Sequence, residues 1–501
     1  MADARAVGIG PEAQLAPRDV HKVPDPFPLT FAGMMAMLGP QAINFGISVG
    51  GGEAYLLPNI SARGALHMHW LMVVSVVLET ALVYECMKYS MATGRSFFAA
   101  TYDLKPIGFW PWFWAIGATI QYVWPSWMGG AVVAAWRFTG ISTQSVLPES
   151  TLPPQYIWAV IALLLVLVVF YFSDRTYTFL AKFFTVIMFA NIALVLVITG
   201  IAARPEHYWQ ALLGYLGITF LMEGYPAGLP QTDALALYGQ PGGSVMFVSF
   251  WVIVAGFGLG RYAGQVTGPL RPPEKITAQE LAWDADDPAE RAKMQQWAKL
   301  GAYSLILWWA LIGGLLMTYL YTVAGLAYLH EDFLATGRIP TGVDVPLQMA
   351  TIASAVLGPT AGWLMLLFIM VTLFDAQFPL YDTQMGRTWT DAIAVSGKTG
   401  GRSYRFWYFV VVTICVLLGF ILILQAQPFI IWLAGSVIGL TLRSVGAFQI
   451  IRINDTRLHP DFRVSKMNRA ILWFTVVSGF LAVLVWLQTG GLAEIRSRWG
   501  M

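Results

Sequence analysis

Long apolar runs alternate along this chain with short polar connections. A helix that crosses a membrane needs about 20 mostly apolar residues. Runs such as Ile157–Phe172 and Phe406–Leu424 show no alternation of apolar and polar positions. They therefore predict helices rather than the strands of a membrane barrel. Eleven spans are expected, near residues 29–61, 68–91, 107–136, 155–173, 177–203, 243–269, 300–328, 359–390, 405–425, 428–450 and 469–488. Residues 346–357 predict a short extra helix before the eighth span. Residues 207–229 are apolar but interrupted by Glu223, Pro226 and Pro230. They read as an excursion at the interface; a twelfth span is the alternative and would invert everything after it.

Composition narrows the class. Apolar residues make up 57% of the 501 positions and charged residues 12%, against about 45–50% and 25% in soluble proteins. So little charge cannot cover a soluble fold of this size. A soluble enzyme, a disordered chain and a secreted disulfide scaffold are excluded, and a polytopic membrane protein remains. Cys86 and Cys415 both fall in apolar runs and read as reduced packing residues. Residues 1–27 are polar and Pro-rich without the apolar centre of a signal peptide, so the first apolar segment is expected to remain as a span.

The placement of charge predicts orientation. With the N-terminus inside, the inner segments hold 22 of the 30 basic residues and the outer ones six. That bias predicts an inner or plasma membrane location, a cytoplasmic N-terminus and an extracytoplasmic C-terminus. It disfavours the twelfth span. The expected organisation is a cytoplasmic tail (1–27), a first five-helix repeat (28–203), an extracytoplasmic connection (204–242), a second repeat (243–451), and an eleventh helix with its tail (452–501). In the inner connection 271–299, Thr277 with Glu280 forms a capping box, and Asp287 stands before Pro288. Both predict helix starts leading into the seventh span.

Two spans carry glycine clusters. The first contains Gly50, Gly51 and Gly52 followed by Glu53, and the sixth contains Gly256, Gly258, Gly260 and Arg261. Each glycine costs about 1 kcal/mol relative to alanine in a helix interior. Close packing of helices through small residues is one explanation. The other is unwinding, which a membrane tolerates only where the backbone lines a cavity or is buried in protein. Interrupted helices at matching places in two halves point to a transporter's substrate site. With the clusters in spans one and six, each half holds five spans, an odd number, so the second half runs in the opposite sense, as an inverted repeat.

These features resemble the natural resistance-associated macrophage protein (Nramp) superfamily, in a divergent prokaryotic branch. The resemblance rests on Gly39-Pro40 before the broken first span, the second break at span six, and eleven spans with the N-terminus inside. It implies an all-α fold of 5+5 inverted repeats shared with amino-acid symporters. It also implies alternating access by spans 1, 2, 6 and 7, and transport of a divalent metal cation coupled to protons. The family's motifs match in part. Asp-Pro-Gly-Asn is replaced here by Gly50-Gly51-Gly52-Glu53, and Met-Pro-His by Leu259-Gly260-Arg261. The thioether that favours soft metals is absent. A small organic solute at the same central site is the alternative substrate.

An ionisable residue near a bilayer centre costs at least about 2.5–3.5 kcal/mol, so each one is a functional candidate. Glu53 is the foremost, as a metal or substrate ligand or as a cap of the second half of span one. Arg261 is read as a partner of Glu53 or of a substrate carboxylate. Asp375 and Asp382 in span eight are seven apart on one face, as are Gln377 and Gln384. Asp375, Asp382 and Glu79 of span two are the coupling candidates. Glu85 and Lys88 are spaced to pair, and Arg443 needs an acid. Pro125 should kink span three, where Trp124 and Trp127 form either an aromatic wall for a substrate or a packing surface. His67 and His69, two apart, point to different faces. No catalytic constellation, cofactor motif or nucleic-acid signature stands out. The expected partners are a small ion or molecule and the lipid bilayer.

Overall fold

Without water in the hydrocarbon layer, the backbone must satisfy its own hydrogen bonds, and helices do so locally. The computed structural model describes residues 20–47, 53–64, 66–173, 176–219, 231–239, 242–272, 274–425 and 428–499. The first span contains α1 (Phe31–Ala36), α2 (Leu38–Ile47) and α3 (Ala54–Ala62). Then come α4 (Trp70–Thr93), α5 (Trp110–Tyr122), α6 (Ser126–Thr139), α7 (Tyr156–Phe172) and α8 (Thr176–Ala202). They are followed by α9 (Pro205–Leu216), α10 (Gln231–Gly239) and α11 (Val248–Val254). The remainder holds α12 (Pro288–Thr336), α13 (Gln348–Leu357), α14 (Pro359–Val395), α15 (Tyr404–Leu422), α16 (Pro428–Arg457), α17 (Lys466–Gln488) and α18 (Gly491–Trp499). Among the described residues, seven helices are long and apolar enough to cross a membrane.

The helices divide by what they face. Leu164 and Val168 of α7, Val186 of α8, Ile414 and Ile421 of α15, and Phe474 and Leu481 of α17 are all exposed. A rim of this kind suits lipid tails. The interior is aromatic: Phe98 stacks on Phe247 at 4.5 Å and on Phe250 at 5.3 Å, with Trp114 edge-on at 5.4 Å.

The basic segments gather at one end of the bundle. There Arg95 pairs with Asp103 at 2.7 Å and Arg457 with the same carboxylate at 3.2 Å. Arg291 meets Asp461 at 3.4 Å, and Lys88 meets Glu85 at 2.6 Å, the predicted pair. A parallel bridge of Val20–His21 (β1) with Ala282–Trp283 (β2) ties the N-terminal tail to this end. At the opposite end Arg204 approaches Glu331 at 3.9 Å and Arg63 pairs with Asp233 at 3.3 Å. His330 Nδ1, next to Glu331, sits 2.9 Å from the Ala62 carbonyl, next to Arg63. Residues 204 and 233 thus lie at the same end of the bundle.

Three local expectations change. The sixth helical segment begins at Gln231 rather than 243. After α10 comes a 3-10 turn, Gly242–Phe247, running into α11, which stops at Val254. The segment carries Asp233, whose charge is matched by Arg63. Second, Pro125 does more than kink span three: the helix is interrupted over 123–125 between α5 and α6. Third, Asp287 caps α12 as expected, accepting from Ala289 N at 2.8 Å. Thr277 makes only a turn, accepting from Gln279 N, because Glu280 is drawn to the Tyr89 hydroxyl at 2.9 Å.

The glycines after α11 end a helix. Gly256 has φ of +77°. Its N–H donates to Ile253 O at 2.9 Å, and that of Phe257 donates to Val252 O at 3.1 Å. These two bonds make a Schellman cap. Gly258, at φ +54°, lies where a Cβ would collide with the Met91 carbonyl. Gly256→Ala is expected to cost about 1–2 kcal/mol from left-handed strain alone. Gly258→Ala adds the collision with α4 and should lower the thermal unfolding midpoint further. Equal midpoints would contradict this packing.

Candidate functional site

Glu53 stands at the head of α3. It is buried, at 1% exposure, and its Oε2 has no hydrogen-bond partner among the described residues. Its side chain makes no cap bond to α3. Glu53 lies within electrostatic reach of Glu79 on α4, Tyr215 on α9 and Tyr321 on α12. The Tyr321 hydroxyl is bonded to Asn191 of α8 at 2.8 Å, and Tyr215 meets Thr322 at 3.4 Å. Gln348 of α13 donates to the Ala54 carbonyl at 3.2 Å. A cleft beside Ala54 is lined by Asn191, Tyr321, Met349, Met365 and Thr372. Asn191 and Tyr321 were not anticipated; one amide within the apolar run of α8 was the available signal. Gly50, Gly51 and Gly52 lie outside the described residues.

Span eight supplies a polar face. Asp382 turns toward α15, where it accepts from Arg387 Nε at 3.1 Å and the Tyr408 hydroxyl at 2.5 Å. Gln384, two residues on, points to the opposite side of the helix. There the π-helical turn Leu380–Arg387 packs on α5 and on Gly242–Phe247. Gln377 shares that face. Both carboxamides are fully buried, and neither their oxygens nor their nitrogens have partners among the described residues. Trp127 of α6, which packs closely on α14, is buried with its indole N–H equally unpartnered. Trp124 is half-buried against the core. Buried polar atoms are normally bonded, so these three side chains call for an explanation. Asp375 lies within α14, but its side chain is outside the described residues.

Other candidates go elsewhere. Glu79 binds Arg443 of α16 at 2.6 Å, and this is the acid that Arg443 required. Gly256, Gly258, Gly260 and Arg261 sit at the basic end, after α11. Arg261 is exposed, and its neighbour Tyr262 donates to the Lys22 carbonyl at 3.0 Å. The expected pairing of Arg261 with Glu53 is therefore not formed. Residues 240–241, between α10 and the turn at Gly242, lie outside the described residues. Among the described residues no group of three or more His, Cys, Asp or Glu is placed to hold a metal.

A scan against protein-family models and a search of the curated proteins return no match. Solved structures do match. A manganese transporter of Eremococcus coleocola, crystallised with an aromatic bis-isothiourea compound, is similar with a TM-score of 0.57 and 13% identity. That match covers 94% of this chain and 90% of that one. Mhp1, a nucleobase-cation-symport-1 family transporter in a closed conformation with bromovinylhydantoin bound, is similar with a TM-score of 0.51 and 12% identity. It covers 92% of each chain. At this identity the likeness shows the architecture: the chain has the all-helical, polytopic fold of these transporters.

Proposed function

We propose that this protein is a secondary transporter that carries a small polar organic solute across a cell membrane by alternating access. The unpartnered indole N–H of Trp127 and the carboxamides of Gln377 and Gln384 carry the reading. Their N–H groups can donate to acceptor oxygens or nitrogens of a solute, while the carboxamide oxygens can accept from its donors. Trp127 and Trp124 supply the apolar wall that such sites use. Glu53 is the charged group of the site, binding a cationic part of the solute or a coupling proton. Asp375 is a second coupling candidate. The gathering of basic residues at one end supports an orientation with that end in the cytoplasm.

A second reading, transport of a divalent cation coupled to protons, is favoured by the likeness to a manganese transporter. In that case Glu53 and backbone carbonyls of the first span are the ligands. Uptake by the purified protein in proteoliposomes decides between them. A mixed pool of amino acids, nucleobases and quaternary amines is offered outside, and the lumen is read by mass spectrometry; Mn²⁺ is offered in parallel with a fluorescent indicator inside. Accumulation of one organic solute, unaffected by Mn²⁺, is the expected result. Mn²⁺ uptake with no organic accumulation selects the cation reading.

A further inference from the structure

The half-helix α10 ends inside the protein. Its nine residues rise about 13 Å, less than half of a hydrocarbon layer of about 30 Å. It starts at the end of the bundle where Asp233 meets Arg63, so its last carbonyls lie near mid-depth. A helix C-terminus carries partial negative charge. In secondary transporters such half-helix ends coordinate the coupling Na⁺ or H⁺.

Here a side chain holds that place. Arg443 of α16 is fully buried. Its Nη2 donates to the Tyr238 carbonyl at 3.0 Å, next to the last residue of α10, and its guanidinium lies 5.0 Å over the Tyr238 ring. Its Nη1 donates to Glu79 Oε1 at 2.6 Å and to Ser75 Oγ at 2.7 Å, both on α4. Ser75 in turn donates to the Tyr238 carbonyl at 2.8 Å. Two desolvated charges are a poor way to gain stability, because apolar residues of similar volume do as well or better.

We propose that Arg443 is a tethered cation that occupies the carbonyl end of α10 in place of a coupling ion. The oxygens that would ligate a free cation, from Glu79, Ser75 and the Tyr238 carbonyl, are all turned to the guanidinium. Transport therefore draws no cation dependence from this position, and α10 is anchored to α4 and α16 through one fixed charge. Coupling in this sense presupposes the transporter reading, yet the test needs no substrate and succeeds or fails apart from it.

The full-length protein is purified in detergent, and its thermal unfolding is followed in equal concentrations of choline, sodium and potassium chloride. R443A exposes the three oxygens as a site for a small hard cation. Its midpoint is expected to fall below wild type in choline and to rise by a few degrees in sodium or potassium, beyond any rise in wild type. The double variant R443A/E79Q should lose that extra rise. Indifference of R443A to the cation, or an extra rise that persists in the double variant, overturns the proposal. If R443A is not recovered, R443Q, which keeps hydrogen bonds without the charge, goes through the same series. Indifference to the cation there overturns it as well.

Discussion

Replacing Glu53 by glutamine is expected to cut uptake into proteoliposomes by roughly 10–150-fold while leaving the thermal midpoint at or above that of wild type. A hydrogen bond to a charged group contributes about 1.5–3 kcal/mol, and each 1.4 kcal/mol is tenfold. The side chain is buried, caps nothing, and has one oxygen without a partner among the described residues. Removing its charge relieves a desolvation cost and breaks no ion pair of the fold. A residue kept for stability would show the reverse. Uptake within twofold of wild type would remove Glu53 from the site, whichever substrate is used.

Arg387→Met is expected to lower unfolding stability by about 3–5 kcal/mol, because it leaves Asp382 as an uncompensated buried charge. Asp382 is 1% exposed and Arg387 5%. They are joined at 3.1 Å, with Tyr408 donating to the same carboxylate oxygen. The double variant Asp382→Asn/Arg387→Met should regain most of the loss. Chemical unfolding of the two variants measures the difference. The comparison also separates the roles open to Asp382. A coupling carboxylate would lose uptake on Asp382→Asn and keep its stability; a carboxylate that fastens α14 to α15 would lose stability first. The pairing with Arg387 and Tyr408 favours the second outcome. Glu53 and Asp382 are thus both buried acids within apolar segments, with opposite expectations, and the difference lies in their partners.

Much of the architecture could be read from the order of residues. Helices occur near each expected span, and the short helix expected at 346–357 is α13 (Gln348–Leu357). The grouping of basic segments foretold which connections would meet at one end, as Arg457 with Asp103 and Arg291 with Asp461 now show. Asp287 and Pro288 marked a helix start correctly. Such features depend on neighbours within one or two turns, or on the sum of transfer free energies over about 20 residues, and both are local.

The glycine clusters show where locality ends. Gly256 and Gly258 stood out as irregular, but a helix cap and a helix break share the same need for positive φ or close approach. Only the place of Gly258 against Met91, at the basic end, decided between them. The sixth segment begins at Gln231, before the apolar run expected at 243–269, and carries Asp233, whose partner Arg63 stands 170 positions away.

The sequence by itself determined a helical membrane protein, its approximate spans, and the short list of charges that had to matter. Only the tertiary structure decided what each charge does. Glu79, Glu85 and Asp382 are bound to Arg443, Lys88 and Arg387, while Glu53 keeps an unbonded oxygen beside no cation that the described residues supply. The physical reason is that hydropathy is a sum along the chain, whereas the energy of a buried charge depends on which group lies within about 4 Å of it. That neighbour comes from a different helix for Glu79, and no rule of spacing along the sequence names it.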